Sequence, residues 1–344
     1  MKWYTTFGQI GVEERCFIKE GKFFRPFSRN SSVKCRGCSL PLQRVITDFG
    51  ADVSFAEAIT KVKEHYGIEV SSFAVQKVTK KHAKQIAEFK GAAVSKKQQT
   101  IVCETDGGMV PIVETEEGCI DKRKSRRTSW KEVKLSCARG KDETKRFYAG
   151  LIGSADEAGK KMVECALLAG MQVGTHVHGV GDGAAWIVEQ FKLQFCNRGN
   201  YFIDFFHLCE YLAKASVWCN VFDKDKWLEE SKLKMKTGKQ EEVLKEIEDK
   251  IKDLQVTDPD SGLIQCYRYM EKRLDHMNYQ AALNKELPIG SGEIESSHRS
   301  VVQKRLKIAG AWWKEENANA MLQLRINRFN GHWEDYWQLQ RLAA

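Results

Sequence analysis

No run of about 18 consecutive apolar residues occurs in the 344-residue chain, so no membrane-spanning helix and no membrane partner are expected. No signal-peptide pattern opens it either. The 11 cysteines are odd in number and lack the rhythm of a disulfide framework. The expected setting is therefore a reducing cytoplasm, with most thiols buried as small hydrophobes. A second Cys-x-x-Cys is also missing. Cys16, Cys35 and Cys38 thus make an incomplete zinc knuckle, because a structural Zn²⁺ site takes four ligands and the fourth would have to come from a distant residue or a partner. A reduced structural pair is the competing reading. Acidic surplus is absent as well: 55 Lys and Arg against 46 Asp and Glu leave a net charge of +9. The excess gathers in Lys122–Arg127 and Gln303–Lys307, which favours a polyanionic partner. With 42% hydrophobic and 29% charged residues the chain can build a real core, and its length suggests two or three domains.

What is present centres on GSGEIESSHRSVVQKRLK, Gly290 to Lys307. Pro288 and two glycines break the backbone, and an acid then leads into a helix-compatible, strongly basic run. On a regular helix Glu295, Arg299, Val302 and Leu306 share one stripe, while Lys304 and Lys307 lie towards the other side. One acid among several cations suits a divalent-metal ligand beside a bound polyanion. A surface helix with a Glu295–Arg299 pair is the plainer alternative. Two further acids, Asp106 in ETDGG and Asp182 in GVGDGAAWI, are expected at strand ends, each followed by glycine that keeps the space in front open. Two strand-end aspartates and a later helical glutamate are the parts of a two-metal phosphoryl-transfer site. Asp182 could instead cap the next helix.

These motifs, with the Asp204-x-x-His207 pair in YFIDFFHL and the closing NAMLQLRINRFNGHWEDYW, resemble bacterial insertion-sequence transposases with a DDE core. The likeness is to the Kra-type group, distantly akin to Mutator-like elements, and covers most of the chain from about residue 99. It implies an α/β fold: an RNase-H-like catalytic core with an all-helical insertion, preceded by a small β segment and a helix-turn-helix. In that fold the first and fourth strands lie side by side, which would bring Asp106 to Asp182. The resemblance further implies two Mg²⁺ or Mn²⁺ ions held by Asp106, Asp182 and Glu295, with double-stranded DNA (element ends and target) as partner. It also implies a dimer or higher oligomer on DNA, in the bacterial cytoplasm at the nucleoid. Glu293 competes with Glu295, but two positions on a helix are about 200° apart and the family's Ile-Glu-Ser order selects Glu295.

Taken in order, residues 1–45 read as a small β segment containing cysteines, and 46–98 as the helix-turn-helix region. In the latter, SFAEAITKVKEHYG has Ser54 and Glu57 at capping-box spacing, and Ser71 or Ser72 can cap a second helix. That second helix offers Lys77, Lys80, Lys81 and Lys84 to phosphates and Gln76 to a base edge, unless it is a packed pair with a solvated basic face. Residues 99–207 hold the first part of the core, with Lys122–Arg127 as a loop or hairpin tip presenting Arg123, Arg126 and Arg127 to DNA. Residues 208–287, rich in Lys, Glu and Leu, form the helical insertion. Residues 288–344 close the core. There Arg299, Lys304, Arg305 and Lys307 are further DNA contacts, and Trp312 and Trp313 either stack on an unpaired base or anchor the last helix. Asp204 and His207 are supporting residues rather than metal ligands: His207 orients the flanking DNA strand or braces the site through a hydrogen bond to Asp204, unless the two are a satisfied core pair. A DNA-binding regulator without catalysis and a structure-specific nuclease are the rival functions.

Overall fold

In a computed structural model, the residues described are 2–29, 37–89, 91, 94–115, 124–220 and 223–343. The chain opens with two small hairpins, β1 (Lys2–Thr5) with β2 (Gly8–Gly11) and β3 (Phe17–Lys19) with β4 (Lys22–Phe24), then a turn of helix, α1 (Pro26–Arg29). Three helices follow: α2 (Leu40–Asp52), α3 (Phe55–Tyr66) and α4 (Ser72–Ala87). Each starts on an extended serine whose hydroxyl accepts an N–H of the first turn: Ser39 from Leu42, Ser54 from Glu57, Ser71 from Ala74. Gly67, at φ 66°, ends α3 in the left-handed conformation that glycine adopts without strain. The pair α3–α4 is as expected. Helix α2 goes beyond the expectation, and it makes the unit a trio whose apolar faces meet at Leu42, Ile46, Val62, Val75 and Val78.

His82 of α4 bolts this trio to the C-terminal end of the chain. Its Nε2–H donates to the side-chain oxygen of Gln43 at 2.9 Å, which leaves Nδ1 to accept from the Tyr336 hydroxyl at 2.7 Å. The ring is neutral in this arrangement, and burial pushes its pKa down to about 3. A second buried imidazole, His178, is pushed down to about 4 for the same reason. Both groups bind a proton more readily unfolded than folded. Their contribution to stability is therefore complete above about pH 6.5 and lost as pH falls towards 3–4. Between pH 7 and pH 4 each histidine should cost the fold roughly 3 kcal/mol. Urea unfolding across that range should show the loss, and His82→Gln should flatten the slope. An unchanged slope in that variant would mean His82 is not the group responsible.

The centre is a five-stranded mixed sheet in the order β7-β6-β5-β8-β9. Its strands are β5 (Thr100–Thr115), β6 (Arg126–Gly140), β7 (Phe147–Ile152), β8 (His176–Gly181) and β9 (Gly199–Ile203). β5, β8 and β9 run parallel, and β6 is antiparallel to both of its neighbours. The first and fourth core strands are thus adjacent, as expected. β5 differs from expectation in length. It is one strand of 16 residues, paired with β6 from Ile101 to Thr115, so Asp106 lies in its middle. What ends near Asp106 is the ladder to β8, whose last pair is Glu104 with Val180. Arg126 and Arg127 belong to β6, and the tip that would carry Arg123 lies outside the described residues.

Helices cover both faces. On one side α5 (Ala155–Leu168), begun by a full Ser154–Glu157 capping box, and α6 (Ala185–Phe195) pack on Ile101, Cys103, Phe147 and Val177. The same core continues into the insertion, which is helical as its composition predicts: α7 (Phe205–Cys219), α8 (Lys224–Lys236), α9 (Gln240–Asp253), α10 (Gly262–Glu271) and α11 (Tyr279–Leu283). On the other side lie α12 (Gly292–Ser297), a π-helical segment His298–Gln303, α13 (Lys304–Leu306), α14 (Glu315–Phe329) and α15 (Trp333–Leu342). Among the described residues no helix is long and apolar enough to cross a membrane.

Candidate active site

Register alone brings the two aspartates together. Glu104 is the partner of Val180 in the parallel β5–β8 ladder, and the same offset two residues on sets Asp106 against Asp182. Adjacent strands are about 4.8 Å apart, so the two carboxylates leave neighbouring strands just past the last ladder pair. The same step along β8–β9, from Gly181 and Ile203, aligns Asp204 with them.

The helix bearing Glu295 crosses the even-numbered face of β5. Three side chains from three adjacent strands hold the segment that launches it. His178 of β8 donates Nε2–H to the Pro288 carbonyl at 2.7 Å. Asp204, just after β9, accepts from the Ser291 N–H at 2.7 Å and from the Ser291 hydroxyl, while its other oxygen accepts the Phe206 and His207 N–H groups that open α7. Glu104 of β5, 2% exposed, accepts the Ile294 N–H at 2.8 Å, and burial lifts its carboxyl to about 7. Asp204 therefore fastens two backbone segments, the turn before α12 and the start of α7. The His207 ring lies against Tyr211 and Tyr269 and is 3.8 Å from Glu210, and only its backbone N–H reaches Asp204.

Within α12 the two glutamates part company. Glu293 is held between Arg139 at 2.9 Å and Arg146 at 3.1 Å. Glu295 is exposed, and no Glu295–Arg299 ion pair forms among the described residues. Its charge instead reaches Asp106. The Asp106 carboxyl is held above the ordinary aspartate range, first by burial and then by the like charges of Asp182 and Glu295, with His298 and the Gly107 N–H pulling the other way. Asp106 thus feels the charge of both other acids.

His298, which the sequence reading leaves without a role although it stands in the same motif, is buried beneath this cluster. Its Nε2 is 3.2 Å from the Asp106 carbonyl and 3.6 Å from Oδ2. The ring occupies the space that a Cβ on Gly108 would fill, 2.7 Å from the ideal position. Gly108 is needed for that contact rather than for open room in front of the acid. From the insertion, Tyr269 donates to the Asp182 carbonyl at 2.8 Å and Arg273 to the Gly183 carbonyl at 3.1 Å, so the helical insertion braces the Asp182 turn.

The donors are all carboxylate oxygens, which suits a hard divalent cation, and such an ion would relieve the repulsion at Asp106. As they stand, Asp106 and Asp182 each turn one oxygen onto a backbone N–H, of Gly107 and Ala184. Among the described residues no three His, Cys, Asp or Glu side chains are close enough together to grip an ion. Of the cysteines considered for zinc, Cys38 is buried in the core of the helical trio, Cys16 is exposed just before β3, and Cys35 lies outside the described residues.

Of the residues expected to meet DNA, Lys77, Lys84, Arg126, Arg127, Arg299, Lys304, Lys307 and Trp312 are exposed, and Gln76, Lys80 and Lys81 are half-buried. Lys81 donates to the Gln43 side chain at 3.3 Å and Lys84 is 3.9 Å from Glu316, so these two are partly engaged within the chain. Arg305 is not on the open surface expected of a DNA contact, and Trp313 is buried, as the anchoring alternative has it. Arg305 is 2% and Trp313 3% exposed, with the guanidinium between the rings of Phe55 and Trp313 at 4.6 and 4.9 Å. Arg305 follows the buried Ile294 by 11 residues and the buried His298 by seven, spacings that put all three on one face at 3.6 residues per turn, so the face that packs on the sheet turns Arg305 inward.

Comparison with known proteins adds the following. Residues 172–340, which include Asp182, the helical insertion and Glu295, match the model of an uncharacterised protein family (UPF0236). No curated protein matches the chain. Among solved structures, the chain is similar to the Drosophila P element transposase strand transfer complex, with 8% identity and a TM-score of 0.37 over 83% of this chain and 90% of that one.

Proposed function

We propose that the chain is a DNA transposase of the DDE type with an RNase-H-like core, in which Asp106, Asp182 and Glu295 hold two Mg²⁺ or Mn²⁺ ions for strand cleavage and strand transfer. The observation that carries this is the β5–β8 register, with Asp106 and Asp182 just past its last pair and the charge of Glu295 in reach. A mixed sheet whose first and fourth strands are neighbours, with a helical insertion before the last acid, agrees with the family that the motifs resemble.

When bound, the ions would activate the attacking oxygen and stabilise the departing one. The protein's own part is to hold and orient. His298 fixes the backbone and carboxylate of Asp106. Tyr269 and Arg273 steady the turn at Asp182, while Glu104, His178 and Asp204 set the pitch of the helix carrying Glu295. Arg299, Lys304 and Lys307 draw the DNA backbone across the acids, and the exposed face of α4 reads duplex further along. Two copies engaging two element ends would make the working complex at least a dimer.

The test is a cleavage and joining assay with the full chain on DNA carrying the short inverted repeats expected on either side of its gene. Nicks with free 3′-hydroxyls and joined products are expected with Mg²⁺ or Mn²⁺ and none in EDTA. Binding without cleavage would favour a regulator. Cleavage of branched DNA without joining would favour a nuclease.

A further inference from the structure

A second cleft, of about 280 Å³, lies between the helical trio and the core and has no part in the carboxylate site. Phe55, Gln76, Lys80, Arg305, Trp312 and Trp313 line it, and no acidic side chain does. Two observations point to an anionic occupant. Arg305 is 2% exposed and donates Nε–H to the Gly50 carbonyl at 2.9 Å, yet its Nη2 has no hydrogen-bond partner among the described residues. A buried donor left unpaired destabilises the fold, and an acceptor on an occupant would recover that loss. Lys80 is half-buried beside it, its ammonium pushed down by burial. At the mouth the indole of Trp312 is 60% exposed, with the Arg126 guanidinium 5.5 Å from the ring centroid. A flat aromatic surface among three cations is the pattern that takes a base and its phosphate together. The cleft is too small for duplex, whose major groove alone is about 12 Å wide.

We propose that this cleft takes one unstacked nucleotide of a DNA strand, its base on Trp312 and its phosphate on Lys80 and Arg305. The proposal rests on the reading that the chain works on DNA. The cleft's place in the fold makes it a holding site. The Trp313 carbonyl accepts the Val113 N–H at 2.7 Å, which clamps the cleft floor to β5 seven residues beyond Asp106. At about 3.4 Å per residue this is roughly 24 Å from the acids, several nucleotides away from the reacting phosphate. Gln76 and Lys80 of α4 also line the cleft, so a strand leaving the surface of α4 reaches it before the carboxylates.

Fluorescence anisotropy with the full chain in EDTA tests this, comparing a blunt duplex with the same duplex bearing a short oligothymidine tail. Trp312→Ala should weaken binding of the tailed duplex about tenfold and leave the blunt duplex within about twofold, with Trp312→Phe restoring most of the loss. Lys80→Ala should weaken the tailed duplex and lower its salt slope by about one. Thermal melting of each variant should match the parent. If both alanine variants hold the tailed duplex as tightly as the parent, or lose tailed and blunt alike, the cleft is not a nucleotide site. Asp106→Asn separates this from the wider reading. Cleavage surviving in that variant would sink the transposase assignment while leaving the tail preference standing.

Discussion

Glu295→Gln should lower metal-dependent strand cleavage about a thousandfold or more, whereas Glu293→Gln should keep the chemistry and loosen the fold. The two side chains are two residues apart on one short helix and do opposite things. Glu295 is exposed, and its charge reaches Asp106. On the proposed reading, neutralising it removes a metal-binding oxygen without changing the helix. Glu293 is 26% exposed and shared by two arginines, so its loss leaves Arg139 and Arg146 without their carboxylate. Arg146 is 40% exposed and rehydrates, which holds the expected cost to about 1–2 kcal/mol. Cleavage rates and urea unfolding of both variants decide it. Should Glu295→Gln cleave as well as the parent and Glu293→Gln not at all, the assignment of the third acid is reversed.

How far the site can be read from residues alone depends on the range over which each cause acts. Asp106 and Asp182 are legible because each closes an apolar run and precedes glycine, a local pattern. The insertion is legible because its composition departs from that of the sheet. Helix α2 is legible in principle, since Ser39-Leu40-Pro41 is a start signal with proline in the first turn, but the adjoining cysteine pair suggests a knuckle instead. Gly107 and Gly108 suggest the end of a strand. The strand continues because the ring of His298, 190 residues later, fills the space above Gly108, and no local pattern announces that. Glu104, His178 and Asp204 are harder still. Their partners are backbone groups of residues 288–294, about 90 to 190 positions away, and a backbone N–H or carbonyl leaves no mark on composition. Arg305 reads as one more cation of a basic run, while its spacing of 11 residues from Ile294 sets it on the face that the helix buries.

Asp204→Ala should cost the fold about 3–5 kcal/mol and most of the cleavage activity with it. The carboxylate is 2% exposed and accepts four hydrogen bonds, two from the N-terminus of α7 and two from Ser291. Removing it leaves the buried Ser291 N–H unpaired and takes the cap from two part-buried N–H groups at the start of α7. It also frees the segment that aims Glu295 at Asp106. Asp204→Asn should fall between alanine and the parent. Its carbonyl oxygen can still cap α7, but its amide then faces the Ser291 N–H, donor against donor, and only the Ser291 hydroxyl can turn to accept. His207→Ala should cost no more than about 1 kcal/mol, because that ring is 38% exposed and its contacts are with Tyr211 and Tyr269. Urea unfolding should rank Asp204→Ala, Asp204→Asn and His207→Ala in falling order of cost. Hydrogen exchange at Ser291 and Ile294 should accelerate in the two Asp204 variants alone. An Asp204→Ala protein as stable and active as the parent would mean that the helix carrying Glu295 is held by something other than this buried acid.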